Sequence, residues 1–102
     1  MTDIHKARKA LIARILDGEG EASKSQRRAS FENAGLAEPL ATLIQKVATR
    51  AYAVTDDDIA GVRASGISED QIFETVVCAA IGQASRQYDS AIAALDAATS
   101  ES

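Results

Sequence analysis

The side chains best suited to chemistry lie late in the chain, on a segment whose apolar residues have helical spacing. Cys78 is the only cysteine, and Glu74 precedes it by four residues, so thiol and carboxyl share one helix face. A cysteine thiolate can act as a nucleophile, but a neighbouring carboxylate disfavours the thiolate. Cys78 and Glu74 are therefore the candidate catalytic residues. The alternatives for Cys78 are a packed structural cysteine or a contact between chains.

Two further residues on this segment, Arg86 and Tyr88, are candidate ligand-binding residues that could line a pocket between chains of an oligomer, with Glu74 upstream. The simpler interpretation is that Arg86 pairs with a carboxylate and that Tyr88 packs with its hydroxyl in water. His5, the only histidine, is expected to be solvated. One cysteine and one histidine cannot form a three- or four-ligand metal site, so we expect no metal and no cofactor.

A run of three aspartates follows Thr55. A hydroxyl N-cap followed by carboxylates in the first turn is typical of a helix start, because the helix dipole favours negative charge there. The alternative is a cation site, but three consecutive carboxylates on a helix diverge and do not converge on an ion. The run predicts a helix start.

The elements that position these residues are all predicted to be helices, because no period-two alternation or hairpin signal occurs. Phe31 and Ala34 are expected to face inward. Residues 1–98 form one helical domain in this interpretation, and residues 99–102 form a flexible tail. Turn residues divide the chain into five or six helices, of which the first runs from Thr2 to Leu16 and is ended by Gly18 and Gly20. A short second helix is capped by Ser25 and followed by Gly35, and a third runs from Pro39 to Tyr52 with an apolar stripe that reaches Tyr52. A further helix runs from Thr55 to Gly66, and the last runs from Glu69 to about Ala98 and begins at a Ser68–Gln71 capping box.

The last predicted helix has an unusually wide apolar face. Its apolar side chains cover an arc of roughly 200°, about twice what a surface helix needs. We therefore expect it to pack on two sides, and a second copy of the chain is the simplest second partner. A break near Gly82 is left open. The apolar residues are Ile72, Phe73, Val76, Val77, Ala80, Ile81, Ala84, Tyr88, Ala91, Ile92 and Leu95.

The composition predicts a small hydrophobic core, and the charge distribution shows no strong preference for a polyanionic partner. Of 102 residues, 21 are alanine and only 22 are leucine, isoleucine, valine or phenylalanine. Residues 1–32 carry a net charge of +2 (7 basic, 5 acidic), and residues 33–102 carry −6 (4 basic, 10 acidic). The basic residues are interleaved with acids and lack aromatic neighbours, which argues against nucleic-acid binding.

The start of the chain lacks the features of a signal peptide and no segment is apolar enough for a membrane, so we expect a cytoplasmic protein.

The stretch from Val54 to Glu74, VTDDDIAGVRASGISEDQIFE, is followed by an alanine-rich helix with Ser85-Arg86. It resembles the C-terminal helical half of the alkylhydroperoxidase D-like, or carboxymuconolactone decarboxylase-like, superfamily. The preceding helix from Leu40 to Tyr52 fits the same family, so the resemblance covers about residues 36–98. The resemblance implies an all-α fold that assembles into dimers, trimers or hexamers, and a thiol peroxidase activity.

The catalytic motif of that family is not present. The family's peroxidases use a Cys-x-x-Cys helix with a nearby histidine and an upstream glutamate, whereas here His5 lies 73 residues before the single cysteine, Cys78. The histidine set of the decarboxylases is absent too. We therefore expect a small helical homo-oligomer that is a binding or accessory protein, with a small molecule as a candidate ligand. The alternative is an antioxidant or decarboxylase-like enzyme that uses Cys78, or an intersubunit pocket with Glu74, Arg86 and Tyr88.

Overall fold

A computed structural model describes the backbone of residues 2–100 and the side chains of residues 4–100. No β-strand occurs among these residues, which confirms the all-helical prediction. The helices are α1 (Thr2–Asp17), α2 (Lys24–Glu32), α3 (Leu40–Arg50), a 3-10 helix (Ala51–Ala53), α4 (Asp56–Ala64) and α5 (Glu69–Ser100).

Two helices begin at the side-chain caps that the sequence predicts. The Thr55 hydroxyl accepts from the Asp58 N–H at 3.2 Å, and the Asp58 carboxylate accepts from the Thr55 N–H at 2.9 Å. Ser68 and Gln71 form the same reciprocal pair at the start of α5, at 2.8 and 3.1 Å. The Lys46 ammonium, 2.9 Å from Asp58, helps to hold the pKa of that carboxyl below its usual value. Thr55 and Asp58 therefore stabilise the start of α4, as the sequence predicts.

Three local predictions are wrong, each for a tertiary or geometric reason. Helix α2 is capped by Ser23 and not by Ser25, because the Ser23 hydroxyl accepts from the Gln26 N–H at 3.1 Å. Ala34 is exposed, because α2 ends at Glu32 and Asn33, the residue after it, has a left-handed conformation with φ of 54°. Tyr52 is 89% exposed, because α3 ends at Arg50 and the 3-10 helix turns the chain away from the core.

Helix α5 is continuous through Gly82, which answers the question that the sequence left open. Gly82 lies where α5 crosses the end of α2, and a β-carbon there would come within 2.8 Å of the Phe31 carbonyl carbon. The glycine therefore permits the close approach of two helices and does not break one. Helix α5 also includes Thr99 and Ser100, which the sequence assigned to the tail, whereas residues 101–102 lie outside the described residues.

The core is small and lies around the first half of α5. Side chains from three helices are buried together there: Leu40, Leu43 and Ile44 of α3, Val62 of α4, and Ile72 and Ala79 of α5. With a length of 32 residues, or about 48 Å at 1.5 Å per residue, α5 extends well past this cluster. The molecule accordingly measures 55 × 28 × 20 Å along its principal axes. Most of the second half of α5 and most of α1 lie outside the core.

Candidate functional site

Cys78 is buried at the contact between α5 and the end of α1. Its side chain is 1% exposed, and its S–H donates to the Ile15 carbonyl oxygen at 3.6 Å. Burial raises the pKa of the Cys78 thiol; the positive charge of Arg27 opposes this rise and the negative charge of Glu74 adds to it. Because the thiolate is the reactive species, this environment holds Cys78 in its unreactive form.

Native Cys78 is therefore expected to react with a thiol reagent at least about 100-fold more slowly than in the unfolded chain, since reaction requires local opening. The measurement is the rate of labelling by a chromogenic disulfide in buffer and in concentrated urea. A matched control is Ala80→Cys in a Cys78→Ser background, because Ala80 is exposed on the same helix. Labelling of native Cys78 as fast as the control would contradict the buried placement.

Glu74 anchors the loop between α1 and α2. One carboxylate oxygen accepts from the Glu21 N–H at 2.9 Å, and the other accepts from the Ala22 N–H at 3.0 Å. Gly20 lies directly against this carboxylate, and a β-carbon at that position would lie 2.9 Å from the Glu74 carboxyl carbon. Both oxygens of the candidate catalytic carboxylate thus hold backbone 52 and 53 residues away in the sequence.

Glu74→Gln is expected to lower the free energy of unfolding by about 2 kcal/mol, the usual value for hydrogen bonds to a charged group. The amide keeps one acceptor but turns an N–H donor toward the other backbone N–H. The measurement is urea unfolding, together with amide hydrogen exchange at Glu21 and Ala22, which should become faster. The control is Glu19→Gln, because Glu19 is exposed in the same loop. Equal stability of both variants would show that the carboxylate does not anchor the loop.

Arg86 and Tyr88 have separate contacts. Arg86 donates to the Phe31 carbonyl oxygen at 2.7 Å, near the end of α2, and to the Gln83 side chain at 3.0 Å. The Arg8 guanidinium lies 4.8 Å from the centre of the Tyr88 ring, and the same arginine pairs with Asp89 at 2.8 Å. The exposed His5 ring also meets the Tyr88 ring edge to face, with centroids 6.3 Å apart. Arg86 therefore supports the end of α2, and Tyr88 joins α1 to α5.

The four candidate residues do not form one site within the chain. Glu74 and Arg86 are separated by 12 residues of continuous helix, or about 18 Å along the axis. Cys78 and Arg86 are separated by about 12 Å in the same way. The intersubunit pocket with Glu74, Arg86 and Tyr88 would thus need its groups from different copies of the chain.

The structural role of Arg27 was not predicted, because the sequence shows it only as one of the basic residues within residues 1–32. Arg27 is only 5% exposed, and its Nη1 donates to the Ile15 carbonyl oxygen at 3.2 Å. Its Nε is buried without a hydrogen-bond partner. No signal in the local sequence distinguishes Arg27 from the exposed Arg28 beside it, because its burial depends on α1 and α5.

A face of exposed and half-buried apolar residues, here called the α1/α5 stripe, lies along α1 and α5. Where the two helices meet, a groove of about 290 Å³ is lined by side chains that include Leu11, Ile81 and Tyr88. Ile4, Leu11 and Leu95 are 52%, 43% and 57% exposed. The stripe consists of Ile4, Ala7 and Leu11 on α1, and Ile81, Ala84, Tyr88, Ala91, Leu95 and Ala98 on α5.

Over the described residues, no group of three or more histidine, cysteine, aspartate or glutamate side chains is placed to hold a metal ion. Within the same part of the chain, every helix is too short or too polar to cross a bilayer. Comparisons of the chain with protein-family models, with curated proteins and with solved structures give no match. The resemblance to the alkylhydroperoxidase D-like superfamily therefore stays a prediction from the sequence.

Proposed function

We propose that this protein is a non-catalytic helical interaction protein that acts as a homodimer, with the α1/α5 stripe as its interface. The observation that supports this proposal is the exposure of the stripe on helical segments that bury few side chains within the chain. Leu16 is the only buried residue among the described side chains of α1. From Arg86 to Ser100, α5 has no buried side chain. Helices owe most of their stability to the packing of an apolar face, so both regions need a further partner.

The spacing on α5 fits helix-to-helix packing. Ile81, Tyr88 and Leu95 repeat every seven residues, and an alanine follows each of them by three residues. This is the a and d spacing of a helix pair that packs along a continuous seam. Alanine at every d position lets two helix backbones approach closely. Positions Ile4 and Leu11 have the same seven-residue spacing on α1.

Charge complementarity favours a second copy as the partner. Helix α1 carries four basic residues and two acidic ones, whereas the exposed half of α5 after Tyr88 carries Asp89 and Asp96 and no basic residue. Within one chain, Arg8 of α1 already pairs with Asp89 of α5. In an antiparallel, two-fold arrangement, the acidic half of each α5 lies over the basic α1 of the other copy. The result is a four-helix bundle with complementary charge.

The proposal does not include thiol chemistry, because the reactive groups have structural contacts. Cys78 is buried with a raised pKa, and Glu74 uses both oxygens on backbone N–H groups. The alkylhydroperoxidase D-like arrangement of residues 36–98 is part of the proposal, and its support is the residue pattern from Val54 to Glu74. A fold of that kind can serve a different function from the peroxidases that share it.

The test is the dependence of thermal unfolding on protein concentration. If folding is coupled to dimerisation, the midpoint temperature should rise by several degrees between low and high micromolar protein, by mass action. The matched control is Leu95→Glu, whose midpoint should depend less on concentration. A wild-type midpoint that stays constant over this range would contradict the proposed dimer.

A further inference from the structure

Arg27 is a buried cation without a paired anion. Arg27 is only 5% exposed, its Nη1 donates to the neutral Ile15 carbonyl, and its Nε has no partner. Among the described side chains, no carboxylate oxygen lies within 4.0 Å of its guanidinium nitrogens. A buried charge is costly unless it is paired, so this environment favours an anion.

Arg27 borders a pocket of about 280 Å³ between the end of α1, the start of α2 and the face of α5. Arg14 lies at the same pocket as a second cation, and Ile15, Phe73 and Val77 give it apolar walls. Phe73 is 70% exposed, which leaves its ring free to cover a ligand. The pocket volume is slightly below the range of roughly 300 to 1,000 Å³ that is usual for ligand sites.

We propose that this pocket binds a small organic monocarboxylate whose carboxylate pairs with Arg27 and whose apolar body lies between Ile15, Val77 and Phe73. An arginine guanidinium binds a planar carboxylate in a forked geometry that a neutral group cannot match. The pocket volume matches a body of one ring or a short alkyl chain.

Two carboxylates at the pocket set its preference among anions. Glu74 directs both oxygens at the Glu21 and Ala22 N–H groups and makes no ion pair with Arg27, and Glu19 is exposed at the rim. Together they leave the pocket close to neutral, with two arginines and two glutamates. A singly charged carboxylate is therefore favoured over the more highly charged phosphate.

The test uses phenylacetate and its neutral analogue phenylacetamide as probes, with the full wild-type chain. Methyl resonances of Ile15 and Val77 should shift saturably with phenylacetate, with a dissociation constant on the order of 1 mM, and phenylacetamide should bind about tenfold more weakly. Inorganic phosphate should leave these resonances unchanged. Arg27→Gln should reduce phenylacetate binding to the level of the amide, whereas Arg28→Gln, which changes an exposed arginine, should not.

A second variant keeps the test decisive if Arg27→Gln does not fold. Phe73→Ser changes a largely exposed wall of the pocket and should weaken phenylacetate binding severalfold in a folded protein. Equal affinity for acid and amide, stronger shifts with phosphate, or the absence of shifts at Ile15 and Val77 would each overturn the proposal.

Discussion

Gly82→Ala is expected to lower the free energy of unfolding by at least about 2 kcal/mol. Alanine is favoured over glycine inside a helix by about 1 kcal/mol, so the helix alone predicts stabilisation. However, the new β-carbon would lie 2.8 Å from the carbonyl carbon and 3.0 Å from the α-carbon of Phe31, both backbone atoms that cannot rotate away. Overpacking of this kind costs about 3 kcal/mol or more, so it exceeds the gain in helix propensity.

The matched control is Gly61→Ala on α4. Gly61 is also inside a helix, but a β-carbon there would have no neighbour within 4 Å. This variant should raise the free energy of unfolding by about 0.5 to 1 kcal/mol. Urea unfolding of both variants measures the difference. If the two glycine variants had the same stabilising effect, α2 and α5 would not be in close contact at Gly82.

Leu95→Glu and Leu11→Glu are each expected to raise the dissociation constant of the dimer by at least about 100-fold. Each substitution removes two leucines from a two-fold interface, and each half-exposed leucine contributes about 1 kcal/mol when it becomes fully buried. A carboxylate at the same position also loses hydration without gaining a partner. Light scattering at a fixed concentration should show the mass of the variants falling to that of one chain.

The control for both variants is Tyr52→Glu. Tyr52 is 89% exposed and belongs to the 3-10 helix, so it lies outside the α1/α5 stripe. It places the same charge on the surface without touching the proposed interface. A mass that falls equally for Tyr52→Glu would assign the effect to net charge, and unchanged masses for Leu11→Glu and Leu95→Glu would exclude this interface.

Local signals in the sequence were sufficient for the helices and for two of their starts. Thr55 and Ser68 each have their capping partner three residues later, and such a reciprocal pair forms within one turn. The helical spacing of α3 and α5 also identified most of the core, because that spacing places apolar side chains on one face.

The remaining features depend on contacts between distant segments. Two serines, Ser23 and Ser25, could cap α2, and the helix begins after Ser23, next to the loop that Glu74 holds. The same contact gives Glu74 a structural role that no local pattern indicates. Arg27 resembles its exposed neighbour Arg28 in sequence and differs only because α1 and α5 cover it. Gly82 could equally be a helix break or a close contact until the position of α2 is known.

Sedimentation equilibrium of the wild-type protein at tens of micromolar shows whether the α1/α5 stripe joins two copies of the chain. For the homodimer we expect a mass of twice the 10.7 kDa of one chain, with dissociation only on dilution. A mass of one chain throughout this range would contradict the proposed dimer and the function assigned to the stripe.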